Sequence, residues 1–300
     1  MNAPATRSAA THVVCVGDLM VDVLAKLPAP LSIGSDTPAP IGIYGGGAAA
    51  NVAAWLVADG AAATFVGRIG DDGLGLRAVE ELSSAGVVPV VTIDVSQPTG
   101  TCIVLVDHHG ERTMIPSTGA NAGSSDVAML PAAADWLYIS GYSLLADTAR
   151  PFALEAMSVA RGRGWSIAVD AASAAPLYAA GPDRFLSWLG TDVLLFANTD
   201  EAQVLTGQED ALTAAPALAQ RCGQAIVKRG SSGAVWSDRT SSTTVPATPT
   251  TMVDSTGAGD AFAAGYLAHD GTIAERLGNA ARLAARAVGQ LGARPFSASS

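Results

Sequence analysis

Short apolar runs alternate along the chain with longer stretches in which apolar residues recur every three or four positions. Runs at 13–16, 63–66, 136–140, 166–170, 193–197 and 224–228 have strand length, and stretches at 48–59, 73–85, 150–163, 199–206 and 211–221 have helical spacing. A strand covered on both faces reads as a continuous apolar run, so this alternation predicts a mainly parallel sheet between two helical layers. Two more helices, at 259–268 and 273–291, close the chain. One region departs from the pattern. The β-prone runs 99–107 and 111–116 are joined through His108-His109-Gly110 and read as a hairpin, which with 33–44 is expected to form a small separate sheet. In an α/β enzyme such an insert suits a lid over the carboxyl ends of the main strands, where ligands bind; an edge hairpin without function is the alternative.

Composition narrows the class. Of 300 residues, 49% are apolar and 15% charged, enough to bury a large core. The net charge of -10 argues against sequence-independent binding to nucleic acid or an acidic membrane, since both need clustered Lys and Arg. The three cysteines, Cys15, Cys102 and Cys222, are far apart and form no C-x-x-C, so neither a disulfide framework nor a zinc ribbon is indicated and the cytoplasm is the expected compartment. No uncharged apolar run of about 18 residues and no signal-peptide core is present. Residues 1–11 and 297–300 read as flexible tails around a single domain at 12–296.

The richest segment chemically is D-S-T-G-A-G-D at 254–260, which runs straight into an apolar helix. It places small residues in a tight turn and a carboxylate at a helix start, so free backbone N–H groups and a candidate base lie side by side. A helix N-terminus carries unpaired donors and roughly +0.5 e, which favours a phosphate; glycines at 257 and 259 let the backbone approach it. A helix cap with a permissive turn is the structural alternative.

Other segments join it. Gly45-Gly46-Gly47 leads into a helix with Asn51 in its first turn, an arrangement that suits a polyhydroxyl substrate. It also fits a dinucleotide-binding pattern, but the upstream Pro38 and Pro40 break the strand that pattern requires. Asp18 and Asp22 follow the first strand, and Asp22 is a candidate acceptor for sugar hydroxyls. In G-R-I-G-D-D-G-L-G at 67–75, Asp71 or Asp72 reads as a helix cap. Asn198 and Glu201, three residues apart at a strand-to-helix junction, fit a capping box or a magnesium-and-phosphate site equally well. Lys228-Arg229-Gly230-Ser231-Ser232-Gly233 ends a strand with two cations and a glycine-rich turn suited to nucleotide phosphates, or to a plain β-turn. No G-x-x-x-x-G-K-[ST], H-E-x-x-H or G-x-S-x-G occurs.

Taken together, G-D-x-x-x-D from Gly17, G-G-x-x-x-N from Gly46, G-x-x-G-D-D-x-x-G from Gly67, N-x-x-E from Asn198 and G-A-G-D from Gly257 resemble the ribokinase-like (PfkB) sugar and nucleoside kinases over about residues 13–295. The resemblance implies an α/β three-layer sandwich with a β-sheet lid built from about 33–44 and 99–116, often paired into a homodimer. It also implies ATP-dependent phosphorylation of a hydroxymethyl group on a small sugar or nucleoside. By position Asp260 would be the general base, with the N–H groups of Gly257, Ala258 and Gly259 meeting charge on the phosphoryl group. Asn198 and Glu201 would organise Mg2+ and phosphate through water. Asp22, Gly47 and Asn51 would hold the substrate, covered by Cys102 and Met114 of the lid. Lys228, Gly230, Gly233 and Asn279 would surround the nucleotide, while Asp254 and Thr256, with the loop 292–294, match a monovalent-cation region, making potassium activation an expectation.

Departures bear on substrate choice. Ribokinases tend to have Asn where Met20 stands, Lys where Ala48 stands and an acidic residue near Gly141. The less polar residues here favour a nucleoside such as pseudouridine over free ribose. Glu111 and Arg112 are read as a surface pair rather than substrate ligands. A non-catalytic ligand-binding relative is the reading from another class.

Overall fold

The computed structural model describes residues 10–109 and 112–295. Before the first helix run β1 (His12–Val16), β2 (Met20–Lys26) and β3 (Ile41–Gly46); α1 (Ala48–Ala58), β4 (Ala62–Gly70), α2 (Gly73–Ser84) and β5 (Val88–Asp94) follow. The next stretch holds β6 (Gly100–Val106), β7 (Arg112–Ser117), β8 (Trp136–Ser140), α3 (Gly141–Leu145), α4 (Arg150–Gly162) and β9 (Ser166–Asp170). After it come α5 (Ala174–Ala180), α6 (Pro182–Leu189), β10 (Val193–Asn198), α7 (Thr199–Thr206), α8 (Ala211–Cys222) and β11 (Gly223–Lys228). The last elements are β12 (Ala234–Ser237), β13 (Ser242–Val245), α9 (Ala258–Leu267) and α10 (Ile273–Val288).

Among the described residues the large sheet has nine strands in the order β13-β12-β11-β10-β9-β8-β1-β4-β5. Its pairings are parallel except β11–β12 and β12–β13. The continuous apolar runs are buried on both faces. Val13 and Cys15 of β1 point into a core with Trp55, Phe65, Phe262 and Tyr266. Val14 and Val16 point into the opposite core with Phe152, Met157, Phe185 and Leu218. Every parallel strand therefore ends at the same edge, and β1, β9, β10 and β11 deliver Asp18, Asp170, Asn198 and Lys228 there. That edge is where an open α/β sheet binds ligands.

A second sheet has the order β3-β2-β6-β7. It contains both predicted β-prone runs, but its composition differs from the expectation in two ways. Residues 33–40 form turns and irregular chain rather than strand, and only Ile41–Gly46 pairs; Pro38 and Pro40 supply no N–H for a ladder. The segment after β1 that carries Asp22, which the apolar pattern does not mark as a strand, is β2, in the interior of this sheet and paired with both β3 and β6. The edge strands β5 and β13, the neighbouring β12 and the short helices α3, α5 and α6 have no counterpart in the predicted pattern. The tail read as 1–11 lies outside the described residues except Ala10 and Thr11; Thr11 is buried, and its carbonyl accepts from the N–H of Ala62. The tail at 297–300 lies outside them entirely, as do Gly110 and Glu111.

Candidate active site

Gly257 caps α9 in the left-handed region at φ 73°. A Cβ there would stand 2.4 Å from the carbonyl oxygen of Ala293, so the turn at 254–257 closes against the loop at 292–294 only with glycine. The first turn of α9 then presents N–H groups without intrahelical acceptors. Of the three predicted donors, Ala258 is partly engaged, donating to the carbonyl of Ser255 at 3.3 Å. Asp260 sits in this turn with its side chain pointing toward α1.

There the Nδ2 of Asn51 donates to Asp260 Oδ2 at 2.9 Å. Asn51 is 5% exposed, and its Oδ1 accepts from Arg294 Nε at 3.1 Å, while Arg294 Nη2 donates to the carbonyl of Gly46 at 2.6 Å. Burial raises the Asp260 carboxyl from its ordinary 3.8 to about 7; the bond from Asn51 and the charge of Lys228 oppose the rise, and Asp170 and Asp18 add to it. Gly47, at φ 92°, opens α1 where any Cβ would meet the Asp18 backbone, and Asp18 Oδ2 accepts from the N–H of Ala48 at 2.8 Å. The Asp22 carboxylate lies against Gly46 from the inner face of the small sheet. Burial lifts Asp22 to about 6, with Arg294 opposing and Asp18 adding.

A second group of charges sits beside the turn. Lys228 Nζ donates to Asp170 Oδ2 at 2.8 Å and lies 3.1 Å from where a Cβ on Gly259 would be. Glu201 is 4% exposed. Burial raises its carboxyl above the ordinary range, Asp170 adds to this, and Lys228 opposes it. Both Glu201 oxygens accept from Asn198, one from the backbone N–H and one from Nδ2, while Asn198 Oδ1 accepts from Glu201 N. A capping box thus explains why the pair is spaced by three, and the buried Glu201 carboxyl also feels the charges of Asp170 and Lys228. Gly230 and Gly233 bracket a single turn after β11, next to Lys228.

The structure distributes the remaining candidates. Cys102 and Met114 share one face of the small sheet with Asp22, but Cys102 is buried with Met20 and Val104, while Met114 on the edge strand is 53% exposed. Asp254 and Thr256 are bonded to each other, the Thr256 N–H and hydroxyl both donating to Asp254 Oδ1. Arg112, expected in a surface pair, instead crosses from β7 and donates to the same Oδ1 at 3.0 Å. Asn279 does not join the group: its Nδ2 donates to Asp59 and to the carbonyl of Gly265, near the end of α9 remote from Asp260. Asp170 and Arg294 were not singled out as site residues from the sequence. Asp170 did leave a signal, a carboxylate closing a buried apolar strand. Arg294 left none beyond its place in a late loop.

The profile of the family described as pfkB family carbohydrate kinase matches residues 10–299. A fructokinase of Klebsiella pneumoniae is 30% identical over 236 residues, 74% of this chain and 76% of that one. An ATP-dependent ribose-1-phosphate kinase of Halopiger xanaduensis is 32% identical over 292 residues, covering 95% and 92% of the two chains. The crystal structure of adenosine kinase from Sinorhizobium meliloti superposes with a TM-score of 0.84 at 25% identity, over 97% of each chain. The fold is therefore that of a sugar or nucleoside kinase. The chain belongs to the pfkB family of carbohydrate kinases.

Proposed function

We propose that the protein transfers the γ-phosphoryl group of ATP to a primary hydroxyl of a small sugar or nucleoside, with Asp260 as general base. The observation that carries this reading is a buried carboxylate with its pKa raised to about 7, held by Asn51 at the N-terminus of α9. A base near neutrality combines the ionised form with useful proton affinity. Asp260 takes the proton of the acceptor hydroxyl as its oxygen bonds to the γ-phosphorus and the bond to ADP breaks. The N–H groups of Gly257 and Gly259, the helix dipole and the Lys228 ammonium face the charge on the transferred group.

ATP as the donor is supported by the name of the Halopiger relative. Among the described residues no group of three or more His, Cys, Asp or Glu side chains is arranged to hold a metal directly. The fit is to a magnesium ion that keeps its waters: both Glu201 oxygens already accept from Asn198, so Glu201 and Asn198 would act through water. Bound there, magnesium supplies charge neutralisation to the phosphates. An added potassium ion at Asp254 would share its carboxylate with Arg112. Equal activity in potassium and in a bulky organic cation would reject potassium activation.

The test is ADP release from Mg-ATP with ribose, fructose, 2-keto-3-deoxygluconate, adenosine, cytidine and pseudouridine. Turnover with one acceptor, falling at least about a hundredfold in Asp260→Asn while ATP binding persists, is expected. Full activity in Asp260→Asn would remove the mechanism. The apolar inner lid cluster of Met20, Cys102 and Val104 favours a nucleoside, whose base needs such a surface, and a sugar-only result would overturn that choice.

We also propose that two copies pair through the outer lid face. Ile43, Val23, Ile103 and Ile115 form one register row across all four strands, with Ile43, Ile103 and Ile115 at 42%, 46% and 52% exposed. A dimer by light scattering that Ile103→Glu converts to a monomer is expected; a wild-type monomer would reject it. No helix among the described residues is long and apolar enough to cross a membrane, and three buried free thiols suit the cytoplasm.

A further inference from the structure

Asp254 gathers three segments on one carboxylate. Its Oδ1 accepts from the N–H and hydroxyl of Thr256 at 2.9 and 2.6 Å and from Nη1 of Arg112 at 3.0 Å; its Oδ2 accepts from the N–H of Gly292 at 2.9 Å. Arg112 is the first residue of lid strand β7 and lies 142 positions away, and its Nη2 also donates to the hydroxyl of Ser255. The pair is largely shielded, with side chains 23% and 8% exposed.

Each tie leads toward Asp260. The loop that begins at Gly292 places the Ala293 carbonyl against Gly257, where α9 starts, and receives a bond from Trp55 Nε1 at 2.8 Å. It also carries Arg294, which holds Asn51 Oδ1, and Asn51 holds Asp260. Burial alone would raise the Asp254 carboxyl, but the bonds from Thr256 and Gly292 and the charge of Arg112 outweigh it, so Asp254 stays ionised.

We propose that Arg112 is a positioning residue through which the lid sets the geometry of the base. With the lid down, its guanidinium completes the donor set of Asp254 and fixes the 254–257 turn against the 292–294 loop. With the lid raised, Asp254 keeps its bonds to Thr256 and Gly292 but loses its charged partner, and the joint between the two segments loosens. Covering the acceptor and orienting Asp260 thus become one event, and ATP is not committed to water while the site stands open. The planar fork of arginine suits this task because it spans a carboxylate and a hydroxyl together, which a lysine ammonium does less well. The proposal rests on the kinase reading for its catalytic consequence.

The test uses the full chain as wild type, Arg112→Ala, Arg112→Lys and Asp254→Asn. In Arg112→Ala we expect kcat to fall about ten- to a hundredfold, the scale of a small misplacement of catalytic groups, with a smaller change in the acceptor KM. Millimolar guanidinium should restore part of it, whereas urea should not, and Asp254→Asn should not respond. Arg112→Lys should fall between wild type and Arg112→Ala. Amide hydrogen exchange at Thr256 and Gly292 should quicken in Arg112→Ala and slow again with guanidinium. The exchange measurement needs no turnover, so it decides the coupling even if no acceptor in the panel is phosphorylated. Unchanged turnover and exchange in Arg112→Ala, or a loss that guanidinium leaves untouched, would overturn the proposal.

Discussion

Asn51 donates its amide to Asp260 Oδ2 at 2.9 Å across 209 residues of sequence, and the same side chain accepts from Arg294. It therefore holds the catalytic candidate and keeps its pKa from climbing further, since this bond is the largest influence opposing burial. In Asn51→Ala the Asp260 carboxyl should rise above about 7. We expect the wild-type kcat/KM profile to lose activity as pH falls through about 7, and the variant's acidic limb to lie at higher pH with a lower plateau. A limb at the same pH in both proteins would show that Asn51 does not tune the base.

Stability of the unliganded protein should fall with rising pH. Folded Asp260 keeps its proton to about pH 7 and folded Asp22 to about pH 6, whereas the unfolded chain releases both near their ordinary 3.8. Between roughly pH 4 and 7 the folded state binds more protons, so the contribution present at low pH is lost across that window. Thermal unfolding should give a higher Tm at pH 5.5 than at pH 8. Asp260→Asn should be the more stable protein at pH 8, by on the order of 2–4 kcal/mol. Equal slopes of Tm against pH in the two proteins would contradict the buried-carboxylate reading.

Gly257→Ala tests the closure of the turn. It combines a left-handed backbone with a Cβ 2.4 Å from the Ala293 carbonyl, whereas Gly60→Ala meets only the left-handed cost at φ 92° with open space around it. We expect Gly60→Ala to cost about 1 kcal/mol and Gly257→Ala roughly 2 kcal/mol or more, with lost turnover only in the latter. Similar Tm losses in the two variants would show that the 292–294 loop yields easily.

The central strands were legible because burial on both faces leaves continuous apolar runs such as Val193 to Ala197. β2 was not, because its inner face carries Asp22 toward the site, and a carboxylate within a strand interrupts the apolar pattern. The turn at Gly257 to Asp260 and the pair Asn198 and Glu201 are local in sequence, so their spacing announced them. Arg112, Asp170 and Arg294 act across distances of 142, 58 and 243 residues, which only the fold brings together. Asn279 is a different case: a position matched to the nucleotide site donates its amide to Asp59 and the carbonyl of Gly265.

The bond from Arg294 to Asn51 also has a consequence for the order in which the protein comes into being. All the strands of both sheets lie before the loop at 292–294, so they can be in place before that loop is made. The guanidinium that seats the Asn51 carboxamide belongs to a segment made more than two hundred residues after Asn51 itself. A nascent chain can thus own a nearly finished sheet while Asp260 remains unaligned. On this account the hold of Asn51 on Asp260 is completed only after the loop at 292–294 has been made and locks in.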